Sequence, residues 1–421
     1  MSPSGSVGKR MSWKRRLPPL LRSIGPELVS GASDNDPTNV GTAVAVGAQT
    51  GYQLAWVAVL VAPLLGIVQM IAAHVGLVSR SDLQALTRHR YGQGVAALLL
   101  ISVVVVTVVT IAADLQAGAA GIGILAGVDG GWLVLPLGLV LVGLLLIGKY
   151  DAIVRVLQYL LVGFLAFGVA AFLAHPDWAL AIRSSLVPSL SLHSDLVAGA
   201  LALIGTTLTS YVYIWETIER GTEEEASHFG DAKVLATARI GAVIGAVFTA
   251  VIFWFMLVAS AATLGKHHET VTSAKEAATA LRPLAGAGSS DLFALGLLVS
   301  AVVALPVLMA TTAHVVGAQF DWRRGLSEPV VQARRFYGVL TASIGLAFAV
   351  TLAKVSVISM LIAASVLGGI GTPIGLVVLV LLARDPRVMG TQPISRRLSI
   401  AGWTVAVLVG TLGFLFLIVS A

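Results

Sequence analysis

Apolar runs of helical length alternate with short polar breaks along nearly the whole chain. Eleven runs read as bilayer-crossing helices: 23–48, 53–78, 95–124, 131–148, 152–174, 195–219, 236–264, 290–318, 334–353, 355–383 and 400–420. A β-barrel would need short alternating segments instead. The first run is interrupted. Residues 25–52 read GPELVSGASDNDPTNVGTAVAVGAQTGY, so Asp34, Asn35, Asp36, Pro37, Thr38 and Asn39 fall inside a small-residue apolar helix. Pro37 lacks an N–H and disfavours helical geometry at Asp36, which predicts unwinding there. Unwinding frees backbone carbonyls beside hard oxygen side chains, a combination that suits a metal cation rather than an apolar ligand.

The sixth run has a softer interruption. In ALALIGTTLTSYVYIWET (residues 200–217), Gly205, Thr206, Thr207, Thr209 and Ser210 punctuate the apolar pattern without a proline. Hydroxyls bonding back to helix carbonyls would account for it alone. Its place five spans after the first break is the pattern of an inverted-repeat transporter with a site at mid-membrane.

Composition agrees with a membrane protein. The chain is 57% hydrophobic and 11% charged, with mean hydropathy +0.91, whereas soluble proteins carry roughly 25% charged residues. Cysteine is absent, which excludes disulfides and thiolate metal sites. The net charge of +6 reflects where bases sit rather than nucleic-acid binding. With the N-terminus inside, five of the 27 basic residues fall in outer segments (Arg183, Lys266, Lys275, Arg282 and Lys354) and the other 22 in the tail and inner segments. That asymmetry predicts a cytosolic N-terminus and an outer C-terminus, in a bacterial inner membrane. Residues 1–22 are expected to be a cytosolic tail, not a signal peptide. Residues 23–421 form a single transmembrane transport domain. The longest polar stretches are the outer segments 175–194 and 265–289, and Glu223, Glu224 and Glu225 read as a solvated cytosolic loop.

The chain resembles the NRAMP family of divalent-metal transporters. The resemblance is densest in GPELVSG, Asp36-Pro37-Thr38-Asn39 and GAQTGYQLAW, with weaker matches in AADLQAG, YDAIVRVLQYL, GTTLTSYVYIW and ARDPRVMG. The family signature is Asp-Pro-Gly-Asn, whose Asp and Asn bind the metal. Thr38 replaces the glycine, and Asp36 and Asn39 remain. GASDNDP looks like the divergent NRAMP-related branch. The resemblance implies an all-α integral membrane protein of LeuT-like fold. Two inverted five-helix repeats, at about 23–174 and 195–383, carry broken first and sixth helices, and 400–420 is an eleventh helix.

The departures from the family are informative. NRAMP metal transporters usually carry Met-Pro-His in the sixth span, where this chain threads Thr209, Ser210 and Tyr211. No methionine lies between 200 and 220. A site of Asp36, Asn39, Thr206, Thr209 and nearby carbonyls is a hard oxygen site, suiting Mg²⁺ or Mn²⁺ better than Cd²⁺. Asp114 matches a family Asp on the proton route, but the family Glu three residues on is Ala117. Glu216 aligns with a second family His. An unpaired membrane carboxylate can carry a proton or make a structural hydrogen bond, and both readings stay open for Asp114 and Glu216. Asp34 is read either as a carboxylate behind the ligands or as facing a water-filled vestibule. Ser210 and Tyr211 are grouped with these supporting or proton-route positions. His74 and His314 are read as satisfied polar residues, and Gly118, Gly121 and Gly123 as small residues allowing close helix contact.

The expected function is secondary transport of hard divalent cations (Mg²⁺, Mn²⁺ or both) by alternating access, weakly coupled or uncoupled from protons. One alternative is an orthodox proton-coupled Mn²⁺/Fe²⁺ symporter. A more remote one is an organic-solute carrier, for which Asp36 would repel a substrate carboxylate. No nucleophile elbow, His-rich metal motif or phosphate loop points to an enzyme. The transported metal and the bilayer are the expected partners, with no nucleic acid, no obligate protein partner and no cofactor.

Overall fold

A computed structural model describes residues 34–147, 161–189, 191, 193–221, 232–265, 288–353 and 355–419. The predicted tail, the start of the first run, the acidic triplet at 223–225 and the outer residues His267 and His268 lie outside them. The described residues are helical, without strands. The first half comprises α1 (Pro37–Thr50), α2 (Ala55–Ser79), α3 (Leu83–Ala126), α4 (Val134–Ile147), α5 (Leu165–Leu173) and α6 (Trp178–Leu186). The second comprises α7 (Ser194–Thr207), α8 (Ser210–Gly221), α9 (Ala232–Thr263), α10 (Gly288–Gln319), α11 (Arg334–Thr351), α12 (Val357–Arg384), the single turn α13 (Pro386–Met389) and α14 (Arg396–Val419).

Eight stretches among the described residues are long and apolar enough to cross a membrane. They correspond to the predicted second, third, fourth, sixth, seventh, eighth, tenth and eleventh spans, with α7 and α8 together making the sixth. The first, fifth and ninth are represented by α1, α5 and α11. Two predicted connections are partly helical. Residues 83–91, expected in a cytosolic loop, begin α3, and Gly92 interrupts the helix with φ 85° before the span proper. Asp82 starts this helix by accepting from Ala85 N–H, and the Thr217 hydroxyl takes the Leu83 N–H. The outer stretch 175–194 contains α6, capped by Asp177.

The interrupted helices occupy the centre of the bundle. All of α1 except Gln49 is buried, and it packs on α7, α9 and α12. Helices in equivalent places of the two halves also pair, α2 with α9 and α3 with α10. Small residues permit this closeness, as packing rather than a hydrophobic drive joins helices in lipid. A Cβ on Gly47 would lie 2.5 Å from the Leu257 carbonyl of α9, and one on Gly118 2.6 Å from the Ala301 methyl of α10. Gly121 similarly faces the Ala294 carbonyl, while Gly123 tucks under the turn at 128–130. On α7, a Cβ at Gly205 would meet the Ser365 carbonyl at 2.4 Å and the Gly369 nitrogen at 2.5 Å. The broken sixth span therefore rests backbone to backbone on α12.

Ion pairs hold the ends that the charge pattern places inside. Arg324 bonds Asp82 at 2.9 Å, and Arg90 bonds Asp385. Burial pushes the Asp385 carboxyl up, but the bonds from Arg90 and the Arg387 N–H outweigh it and hold the carboxyl below its ordinary range.

The glycine contacts generate a stability prediction. Gly205→Ala has rigid backbone on the far side, so it should destabilise the protein by about 1–3 kcal/mol, the usual range for overpacking. Gly143→Ala on α4 meets nothing within 4 Å and should leave stability unchanged or slightly raised. Thermal unfolding of the two variants in detergent checks this; equal melting temperatures would refute the close α7–α12 contact.

Candidate metal site

Asp36 ends a non-helical stretch and caps α1. Its backbone is extended, φ −66° and ψ 165°, as a residue before proline prefers. Its Oδ1 accepts the Asn39 N–H at 2.6 Å, satisfying one of the free donors at a helix start. Pro37 needs no partner at the first helical position. The other carboxylate oxygen, Oδ2, accepts from the Tyr211 hydroxyl at 3.0 Å. That bond joins the first break to the start of α8.

Thr38 recruits a second carboxylate. Its backbone N–H and its hydroxyl both donate to Asp114 Oδ1 of α3, at 2.9 and 2.5 Å. Asn39 is oriented by its neighbour: its Nδ2 donates to the Asp34 carbonyl at 2.9 Å. Because a carbonyl can only accept, this contact fixes the amide orientation and leaves Asn39 Oδ1 as the free end.

The second break falls at Leu208 and Thr209, between α7 and α8, without a proline. Leu208 has φ −97° and ψ 21°. The Thr209 hydroxyl donates back to the Gly205 and Thr206 carbonyls at 2.8 and 2.7 Å. The Leu208 carbonyl accepts from Thr372 of α12 at 3.0 Å. Carbonyls at the C-terminal end of a half-helix carry partial negative charge and favour a cation.

What remains unpaired is nearly all oxygen. Asn39 Oδ1, Asp114 Oδ2, Thr206 Oγ1, Ser210 Oγ and both Asp34 carboxylate oxygens are buried without a hydrogen-bond partner. Buried polar atoms are ordinarily satisfied, so this group is an exception in need of a partner. Among the described residues no three His, Cys, Asp or Glu side chains form a metal cluster by themselves. The donor set here mixes carboxylate with amide, hydroxyl and backbone oxygens, which makes it a hard site.

Direct bonds therefore join Asp36 to Asn39 and Tyr211, and Thr38 to Asp114. Thr206 lies in the last turn of α7 and Thr209 in the break that follows it, five and two residues before Tyr211. Glu216 lies elsewhere: it pairs with Arg220 at 2.9 Å one turn along α8, both side chains buried. Ala117 is buried on α3. His74 bonds the Gln392 carbonyl at 2.7 Å, and His314 packs edge-on between Trp215 and Phe336.

Several contributors have no sequence signal of their own. Ser300 of α10 donates to the Asn35 carbonyl. Ser260 of α9 donates to the Val44 carbonyl at 2.5 Å. Thr42 and Ser365 share a hydrogen bond at 2.6 Å between α1 and α12. Thr38 does have one, since a threonine stands in a family glycine's place, but nothing in that exchange points to its clasp on Asp114.

Comparison with known proteins accords with this geometry. A divalent metal cation transporter, MntH, of Deinococcus radiodurans is 29% identical over 412 residues, covering 96% of this chain and 90% of the relative. The structure of a manganese transporter of Eremococcus coleocola matches with TM-score 0.76 at 19% identity, covering 94% of this chain and 85% of that one. Mhp1, a nucleobase-cation-symport-1 family transporter, matches with TM-score 0.62 at 12% identity over 94% and 90% of the two chains. These structural likenesses establish the LeuT-like fold. The family model for natural resistance-associated macrophage protein-like (Nramp) proteins matches residues 27–419, and the chain belongs to that family.

Proposed function

We propose that this protein is a membrane transporter, not an enzyme, that carries hard divalent cations, Mn²⁺ and Mg²⁺, by alternating access. One observation carries the reading: buried oxygens without partners gather at two helix breaks joined by the Asp36–Tyr211 bond. A divalent cation satisfies several such oxygens at once and offsets buried carboxylate charge. Asp36 and Asn39 are proposed as ligands, with Thr206, Thr209 and the carbonyls around them on the opposite side. Asp34, Asp114, Ser210 and Tyr211 are proposed to support them.

The selectivity proposal rests on donor chemistry. No thioether occurs between residues 200 and 220, where the family's methionine would thread. A soft ion gains nothing from an all-oxygen site. This also supports a place in the divergent branch of the family. An organic acid as cargo is disfavoured, because Asp36 stands where a substrate carboxylate would have to approach.

Weak proton coupling is proposed on related grounds. A relay needs titratable groups or waters within hydrogen-bond reach of one another. Ala117 supplies none, Glu216 is engaged by Arg220, and His74 and His314 are held by other partners. The metal gradient and the membrane potential then drive uptake. The charge asymmetry supports an N-terminus on the cytosolic side, and the bacterial relative supports a bacterial inner membrane.

Three measurements test these readings. Asp36→Ala should lower Mn²⁺ uptake into proteoliposomes at least about a hundredfold, beyond the roughly 10–100-fold attached to losing a ligand's supporting partner. Wild-type uptake by that variant would refute the ligand assignment. Thr209→Met should raise Cd²⁺ transport relative to Mg²⁺, and Mg²⁺ at about millimolar concentration, the range of a weak hard-ion site, should inhibit Mn²⁺ uptake in the wild type. A wild type that strongly prefers Cd²⁺ would overturn the selectivity argument. With a pH dye inside the vesicles, Mn²⁺ entry should proceed without matching acidification. Stoichiometric acidification, abolished by Asp114→Asn, would make the protein a proton symporter.

A further inference from the structure

An apolar groove of about 720 Å³ lies between α14, α2 and α7. One wall is a single face of α14, formed by Ile400, Trp403, Thr404, Val407, Leu408 and Leu412. These recur at three- and four-residue steps, which makes them one stripe of a helix. Facing them are Trp56 and Leu60 of α2 and Ile204 of α7. From Ile400 to Leu412 the stripe runs about 18 Å at 1.5 Å per residue. That is more than half of a hydrocarbon core about 30 Å thick.

The same stripe continues one turn toward the N-terminal end of α14. Arg397 and Arg396 precede Ile400 by three and four residues, so both fall on the groove's register. Both are exposed, and neither enters an ion pair among the described residues. An exposed apolar groove in a bilayer is occupied by hydrocarbon, which identifies the tail of the occupant. Two exposed arginines one turn before the stripe identify the head, since the planar fork of a guanidinium matches a phosphodiester.

We propose that this groove binds one anionic phospholipid, with an acyl chain along α14 and its phosphate on Arg396 and Arg397. The charge asymmetry of the chain assigns that lipid to the cytosolic leaflet. The bound chain would also touch Ile204, two residues before Thr206 on the half-helix that ends at the second break. The eleventh helix thereby becomes a seat for lipid against the half-helix that carries the proposed ligand Thr206.

Lipid binding is measured directly, so the result stands apart from any transport assay. The full-length protein in detergent is mixed with phosphatidylglycerol or phosphatidylcholine and examined by native mass spectrometry. The wild type should retain phosphatidylglycerol in preference. Arg396→Gln with Arg397→Gln should reduce that retention about tenfold or more, the effect of two basic groups at an anionic surface. Val407→Phe adds bulk at an exposed position in the groove and should lower retention of both lipids. Equal retention of the two lipids by the wild type, or undiminished preference in the double arginine variant, overturns the proposal. The chain has no cysteine, so Val407→Cys gives a single probe of the competing occupant. Efficient disulfide dimers in vesicles of any lipid composition would place a second copy on this face and also overturn it.

Discussion

Backbone polar groups facing hydrocarbon find no water, so every interruption of a transmembrane helix must be satisfied by protein or by water held within it. The rest of this structure depends on how two interruptions meet that constraint. At the first, the Asp36 carboxylate takes the Asn39 N–H and Asp114 takes the Thr38 N–H, so α1 begins with these free donors occupied. The Asn35 carbonyl is taken by Ser300, and the Asp34 carbonyl by the Asn39 amide. At the second, the Thr209 hydroxyl and Thr372 serve the carbonyls that the break at Leu208 releases. The partners come from α3, α10 and α12, which is why the breaks lie where those helices converge.

The same arrangement leaves a remainder. Each buried polar group without a partner costs about 1–3 kcal/mol, and oxygens at both breaks remain unpaired. A site that satisfies its backbone but leaves side-chain oxygens open is prepared for a positive guest. In the function proposed above, a divalent cation supplies those missing partners and offsets part of the charge of the buried carboxylates Asp34, Asp36 and Asp114. Glu216, further along α8, needs no such guest, because Arg220 already neutralises it.

Closeness makes this possible. Gly47 lets α1 lie against the Leu257 carbonyl, and Gly205 lets α7 lie against the backbone of α12. Side chains at these points would hold the helices apart and carry Thr372, Ser365 and Ser260 beyond hydrogen-bond reach. Small residues and hydroxyl donors therefore act as a pair: the first allow approach, and the second bond the carbonyls that approach brings within range.

Much of this is legible in the chain alone. A run of apolar segments, each about as long as a bilayer is thick, dictates transmembrane helices because hydrocarbon tolerates little else. Pro37 dictates non-helical backbone at Asp36 through sterics that act between adjacent residues. The softer break at Thr209 is legible only as a cluster of hydroxyls, and the structure shows the Thr209 hydroxyl bonded to the carbonyls at issue. The helix at 83–91 carries a local signal in its Asp82 cap, which a reading by hydropathy passes over, and Thr217, 134 positions from Leu83, adds a tertiary bond to the Leu83 N–H. The clasp of Thr38 on Asp114, the contribution of Ser300 and the pairing of Glu216 with Arg220 were likewise decided by tertiary structure. Local sterics and hydropathy act over a few residues and can be read in order along a sequence. Which oxygen finds a donor and which stays free depends on helices brought together from 76 to 323 positions away, and only the packed bundle determines that.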